Sequence, residues 1–279
     1  MEDKEIEIFT SRWLMDNVMQ ITDPFGFCAT LVIGKEKGLL FDTMCGVGNL
    51  KTYIEGLVDV PVTVVLSHGH FDHIGGINLF PEVFIHPLEI ENIKGAREVD
   101  HADEVIDEMY RDWKTLHHIK DMKDTDGYKI SSGASFRSAV EGDIFDLGGV
   151  VLKVVELPGH TEGSIGLYCE KGKYVLTGDA VTPVMCLFFE HSSEIKYEQT
   201  LNKLMRMDFE NFITSHHQYI FNKDILPEFY NCLVFSKSDR GMKFQHDLIP
   251  GYRGMFHIYK GTNSDDRDFI GIILRRKED

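Results

Sequence analysis

Short, nearly continuous apolar runs alternate along the chain with turns and with a few segments of helical spacing. Strand-length runs fall near residues 5–9, 30–33, 39–42 and 62–67, and Val62-Thr63-Val64-Val65-Leu66-Ser67 is the clearest of them. Turns such as Gly34-Lys35-Glu36-Lys37-Gly38 separate these runs, so the first part reads as hairpins feeding a sheet. Leu50, Tyr53, Ile54 and Leu57 stand at i, i+3, i+4 and i+7, which predicts a helix over 49–58. Further strands are expected near 151–155, 165–169 and 174–176, helices over 197–207 and 223–236, and closing strands near 255–259 and 269–274. The pattern alone predicts a mixed α and β chain.

Residues 87–142 break this rhythm with helical stretches and polar loops. Val105, Met109, Trp113 and Leu116 form an apolar stripe at helical spacing, with acidic residues elsewhere on the same helix. An amphipathic helix packed on the body or on a second subunit explains the stripe, and a lid over a site is the alternative.

Candidate chemistry sits where the strands end. The run ending at Ser67 leads into His68-Gly69-His70-Phe71-Asp72-His73, three imidazoles and a carboxylate within six positions, followed by Gly75-Gly76. Neutral imidazole is the commonest protein ligand for zinc-like metals, and a strand-turn-helix mount is too rigid for a solvated His-rich tract. Other strands end in the same residue types. Residues 150–156 lead to Pro158-Gly159-His160, 174–176 to Thr177-Gly178-Asp179, and 211–215 to His216-His217.

In this order, HGHFDH, PGHTEGS, TGDA and a final Ser-His resemble the metallo-beta-lactamase-fold hydrolases, over most of the chain from Asp42 to His216. The resemblance implies one α/β (α+β) domain over 1–279, a four-layer αββα sandwich of two mixed sheets flanked by helices. It implies that His68, His70 and His160 hold one metal, that Asp72, His73 and His216 hold a second, and that Asp179 bridges them. Asp42 matches an early aspartate of the family that supports the ligands without binding metal. A small residue precedes the last ligand in the family, and Ser215 fits that place, which favours His216 over His217. His217 is then a supporting or substrate-facing group.

Such a centre would take two divalent metal ions, zinc first and iron or manganese as alternatives, because the same ligands accept all three. A water shared by two ions loses its proton near neutral pH and becomes the nucleophile. Asp72 and Asp179 are the candidate catalytic carboxylates, Asp179 by holding the pair together and Asp72 by accepting a hydrogen bond from the attacking water. Phe25, Met185, Phe188 and His217 are the candidate substrate contacts. Cys186 follows the same strand end and reads as a small core residue.

Composition narrows the partners. The 29 basic and 45 acidic residues leave a formal charge of −16, which repels polyanions and argues against nucleic acid. The charged start Met1-Glu2-Asp3-Lys4-Glu5, with no long apolar stretch after it, predicts neither export nor a membrane span, hence a cytoplasmic protein. Five scattered cysteines without a CxxC pair indicate no disulfide framework. The partner expected is a small-molecule substrate, and a homo-oligomer is left open.

The metal motifs resemble the glyoxalase II branch, but Ala180-Val181-Thr182-Pro183-Val184-Met185 stands where that branch carries Cys-Gly-Arg and basic groups for glutathione. Flavodiiron oxygen reductases replace the second motif histidine by a carboxylate, whereas His70 stands here. The expectation is a hydrolase of a small, partly apolar ester, lactone, thioester or phosphoester. Two alternatives remain: an iron sulfur dioxygenase using His68, His160 and Asp179, and a non-catalytic scaffold.

Overall fold

The structure is a computed structural model that describes residues 8–90, 93, 108–109, 111–112, 134–245, 253–264 and 266–275. Its first sheet runs in chain order: β1 (Thr10–Met15), β2 (Val18–Thr22), β3 (Cys28–Ile33), β4 (Gly38–Phe41), β5 (Val62–Val65), β6 (Glu82–Ile85) and β7 (Ser135–Ser138). Strands β1 to β4 pair antiparallel, and β4 to β7 pair parallel. Parallel neighbours need crossovers, and the chain between β4 and β6 supplies α1 (Leu50–Glu55) and α2 (Phe71–Ile74). Asn49 caps α1, its side chain accepting from the Thr52 N–H at 3.0 Å.

The second sheet contains β8 (Ile144–Asp146), β9 (Val151–Glu156), β10 (Ile165–Cys169), β11 (Tyr174–Gly178), β13 (Asn211–Thr214) and β14 (Phe221–Asn222), in the order β14-β13-β11-β10-β9-β8. A third ladder, β12 (Val184–Leu187), β17 (Ile270–Leu274), β16 (Arg253–Lys260) and β15 (Met242–Gln245), extends the frame beside the helices α3 (Glu194–Arg206) and α4 (Leu226–Ser236).

Alternating side chains sort into layers. Val32, Leu39, Phe41 and Val65 of the first sheet meet Leu152, Val154, Leu167, Leu176 and Ile213 of the second. Their neighbours Leu31, Leu40 and Val64 face the other way, onto Leu50 and Ile54 of α1 and Ile74 of α2. Val155, Val175 and Phe212 point outward onto Leu201 and Leu204 of α3 and Phe229 and Leu233 of α4, with Ile270 and Ile272 of β17. Because the central strands are covered on both faces, they read as unbroken apolar runs. The result is the αββα sandwich, with the third ladder added at the α4 side.

Within 87–142 the described residues show one departure from the expectation: Ser135–Ser138 is a strand, paired with β6. Most of that segment, including Val105, Trp113 and Leu116, lies outside the described residues. No helix among the described residues is long and apolar enough to cross a membrane.

Candidate metal centre

Strand direction brings the site together. Strands β4 and β5 are parallel, as are β11 and β13, and β9 runs with β11 because both pair antiparallel to β10. Their C-terminal ends therefore share one edge of the sandwich, and each ends in a polar residue: Asp42, Ser67-His68, His160, Asp179 and Ser215-His216. Gly178 has φ +53, and a Cβ there would stand 2.5 Å from Ser67 Cβ, so only glycine lets this strand approach the first sheet closely.

Two groups of ligand atoms converge: His68, His70 and His160, and beside them Asp72, His73, Asp179 and His216. His70 Nδ1 lies 3.0 Å from both His68 Nε2 and His160 Nε2. Asp179 Oδ2 lies 3.0 Å from His216 Nε2, 3.4 Å from His73 Nε2 and 3.8 Å from His160 Nε2, so it stands between the groups. Asp72 Oδ2 lies 3.5 Å from His73 Nε2 and 3.4 Å from His216 Nε2. A tetrahedral ion with bonds of about 2.0–2.1 Å sets its ligand atoms roughly 3.3 Å apart, so these spacings suit shared cations. His73 Nε2 and Asp179 Oδ1 are also buried without a hydrogen-bond partner among the described residues. The donor set therefore fits metal.

The ring nitrogens facing away from the centre are fixed by the protein. Fully buried Asp42 accepts from Ser67 N at 2.7 Å, Ser67 Oγ at 2.9 Å, His73 Nδ1 at 2.8 Å and Ser215 Oγ at 2.8 Å. With its one proton given to Asp42, Ser67 Oγ accepts from His68 Nδ1 at 2.9 Å. His160 Nδ1 donates to the Cys186 carbonyl at 2.8 Å. His68, His73 and His160 are thus held with Nε2 toward the centre. A further buried carboxylate, Glu89, accepts from Gly69 N, Gly163 N and Thr161 Oγ1 and joins the loops that carry His68, His70 and His160.

Burial holds His68 well below the ordinary imidazole pKa and lowers His160, and it depresses His70 to about 3, which keeps all three neutral as ligation requires. In the second group burial also works against the charged imidazole. There the carboxylates outweigh it, with Asp179 the largest contributor, and raise His73 and His216. Burial raises Asp72 and Asp179, but the adjacent imidazoles prevail and hold Asp72 at about 2 and Asp179 well below the carboxylate range. Protons on His73 and His216 therefore compete with a cation for the same nitrogens.

A cavity of about 290 Å³ opens against these groups, lined by His160, Asp179, His216, His217, Thr182, Val184, Cys186 and Ser264. His217 lies on its wall, with Nδ1 3.3 Å from Thr214 Oγ1, while His216 reaches the carboxylates. The expected wall residues Phe25, Met185 and Phe188 do not line it. Along β12 alternation turns Val184 and Cys186 to the cavity and Met185 and Leu187 into the core. Phe188 stacks on Phe189, and it is Phe189 whose ring lies 4.3 Å from that of His70. Likewise Phe27, not Phe25, meets the His216 ring, at 5.5 Å, with Phe25 packed behind it.

The 23–28 loop that presents Phe27 is tied by Asp23, which accepts from Phe25 N, Phe27 N and Cys45 Sγ. Burial raises this carboxyl to about 6 despite those bonds. Below about pH 4 the group is protonated in both folded and unfolded chains and contributes nothing. As pH rises to 6, the unfolded chain ionises first and the folded state loses up to about 3 kcal/mol relative to it. Asp23→Asn should therefore gain stability over the parent between about pH 4 and 6 and hold that gain above. Urea unfolding of both chelator-treated proteins across this range checks it, and a pH-independent difference would refute it.

A sandwich with two His/Asp ligand groups at one strand edge defines the class, and the sequence comparisons agree. Residues 23–216 match the metallo-beta-lactamase superfamily, and the chain belongs to it. An acyl-coenzyme A thioesterase, MBLAC2, from Gallus gallus is 27% identical over 192 residues, 63% of this chain and 66% of that protein. The chain spans 57 to 66% of the length of the three thioesterase relatives it matches. A hydroxyacylglutathione hydrolase from Ruegeria pomeroyi is 33% identical over 79 residues, 28% of this chain and 31% of that protein. Among solved structures, a metallo-beta-lactamase from Pontibacter korlensis superposes with a TM-score of 0.58 at 16% identity, covering 81% of this chain and 99% of the other. At that identity the likeness shows the fold alone.

Proposed function

We propose that this protein is a metal-dependent hydrolase that cleaves a small thioester. The observation carrying this reading is Asp179 Oδ2, placed between two complete ligand groups at the mouth of an uncharged cavity wall of Thr182, Val184, Cys186 and Ser264. Two divalent ions bound there, zinc first and iron or manganese as alternatives, would supply hydroxide near neutral pH and polarise the substrate carbonyl.

The residues divide the remaining work. His68, His70 and His160 would hold one ion, and Asp72, His73 and His216 the second. Asp179 would serve both, its charge offsetting their repulsion. An oxygen of Asp72 would accept a hydrogen bond from the attacking water and keep it oriented. Val184 and Cys186 hold the acyl chain and keep bulk water from it, and His217 faces the polar end of the substrate. The cavity is at the small end of ligand pockets, which suits a short acyl group.

A thiolate leaves without prior protonation because its thiol has a pKa of about 8.5, so a thioester needs no acid at the site where an alkyl ester would. Both named relatives act on an acyl group carried by a thiol, at identities that support the reaction class. The test is a panel of matched acyl-CoA and acylglutathione thioesters, oxoesters, lactones and phosphodiesters with metal-loaded protein. Thioesters should exceed matched oxoesters in kcat/KM by about 100-fold, roughly 3 kcal/mol of barrier, and chelation should abolish turnover. Preference for a phosphodiester or lactone would overturn the substrate class. Oxygen uptake with a persulfide by an iron-loaded protein would move the assignment to a sulfur dioxygenase.

A further inference from the structure

We infer that Glu89 is a positioning residue for the ion held by His68, His70 and His160, an inference that rests on the two-ion reading above. Glu89 follows the short turn after β6 and is the first helical residue where the chain enters the 87–142 segment, and it is fully buried. Its Oε2 accepts from Gly69 N at 2.8 Å, and Gly69 is the residue between the ligands His68 and His70. Its Oε1 accepts from Thr161 Oγ1 at 2.7 Å and from Gly163 N at 2.8 Å, and Thr161 follows the ligand His160. One rigid carboxylate therefore ties together two loops about 90 residues apart in the chain, at the backbone positions that set where their imidazoles point.

The fit is close on every side. A Cβ at Gly163 would stand 2.9 Å from Glu89 Oε1 and 2.7 Å from His86 Nδ1, so this loop must carry glycine to reach the carboxylate. Ser164 Oγ, 2.7 Å from Thr161 Oγ1, donates to it and frees the threonine proton for Glu89. Glu89 N donates to the His86 carbonyl at 2.9 Å, which anchors the turn itself. The arrangement parallels that of Asp42, which ties Ser67, His73 and Ser215 beneath the second ligand group. Asp42 also reaches His68 through Ser67 Oγ, whereas the Gly69, Thr161 and Gly163 bonds of Glu89 all fall on the loops of the first group, which separates Glu89 from a general stabiliser.

Glu89→Gln keeps the volume but replaces one accepting oxygen with a donor, which must then face Gly69 N or the Thr161–Gly163 pair. Zinc titrated into metal-free protein against a competing chelator should bind the parent with two equivalents. In Glu89→Gln one equivalent should weaken by about 10- to 100-fold while the other keeps its affinity. Adding His216→Ala to Glu89→Gln should remove the remaining tight equivalent, and adding His70→Ala should not. In turnover the loss should fall on kcat with KM little changed. Thr161→Val, which deletes the Thr161 Oγ1 bond to Glu89, should weaken the same equivalent to a smaller degree, and it decides the matter if Glu89→Gln does not fold. Equal weakening of both equivalents, or two unaltered equivalents in both variants, overturns the role of Glu89. A parent protein that binds fewer than two equivalents instead overturns the two-ion reading.

Discussion

Replacing Asp179 with asparagine should reduce turnover about 1,000-fold, roughly 4 kcal/mol of transition-state stabilisation, and should lower bound metal from two equivalents to one or fewer. The asparagine fills the same space, so the sandwich should survive, and circular dichroism with metal analysis separates the two effects. Asp179 Oδ2 is within 3.8 Å of ligand nitrogens from both groups, and Oδ1 is buried with no hydrogen-bond partner among the described residues. An amide there cannot offset two cations, and its nitrogen would meet a cation or an imidazole nitrogen as a donor. The metal-free proteins give a second readout. Asp179 holds His73 and His216 above the ordinary imidazole pKa, so the stabilisation they derive from it is complete below about pH 6.5 and is lost as pH rises through their folded values. Asp179 itself is held low, so its share is present above about pH 4 and is lost at stronger acid. Metal-free Asp179→Asn should therefore be most destabilised between about pH 4 and 6.5. Retained activity with two bound equivalents would remove Asp179 from the mechanism.

The convergence of His and Asp side chains was legible in the sequence because chemistry and geometry coincide in short contiguous stretches. His68 to His73 lie together, and Asp179 and His216 each follow a strand whose apolar run is unbroken because both faces are covered. The walls were less legible for the same reason. Val184, Met185, Cys186 and Leu187 are all apolar, so their alternation carries no signal and the parity of β12 cannot be read; only the fold turns Cys186 to the cavity and Met185 away. Phe25 and Phe188 are expected at the wall, while Phe27 and Phe189 meet the His216 and His70 rings, because an aromatic pair one or two residues apart differs only in which face it meets. Strand β1 is mostly exposed along its length and shows little apolar pattern, so its pairing with β2 decides its structure. Glu89 had no sequence signal at all. Its partners lie 20 residues before and 74 residues after it, and their meeting is a property of the packed sandwich.

Asp42→Asn should cost nearly as much activity as Asp179→Asn although Asp42 is not among the converging ligand atoms. A carboxylate accepts at every lone pair, and this one takes four donors: Ser67 N, Ser67 Oγ, Ser215 Oγ and His73 Nδ1. Three of the four meet at Oδ2, so an amide nitrogen placed there meets the His73 Nδ1 proton head on and forces the Ser67 and Ser215 hydroxyls to turn their protons away. If the amide turns, its nitrogen meets Ser67 N and the carbonyl still cannot carry the charge that opposes the neighbouring cation. With the nitrogen at Oδ2, His73 loses the partner that fixes its proton on Nδ1, and a ring free to carry it on Nε2 no longer presents a lone pair to metal; with the amide turned, His73 keeps only a neutral acceptor in place of the carboxylate. His68 is drawn in through Ser67 Oγ, so both ligand groups feel the change. Turnover should fall about 100- to 1,000-fold, with weaker binding of both ions. Asp42→Ala should go further and threaten the fold. It leaves several buried donors unpaired at about 1–3 kcal/mol each, and it keeps a non-glycine residue at φ 70, a conformation that costs alanine more than aspartate. A loss of that size approaches the 5–15 kcal/mol that holds a domain together. The comparison of the two variants isolates the cause: an asparagine protein that folds, binds metal weakly and turns over slowly means the carboxylate acts by orienting ligands. Normal metal affinity in Asp42→Asn would mean that the backbone alone holds His68 and His73 in place.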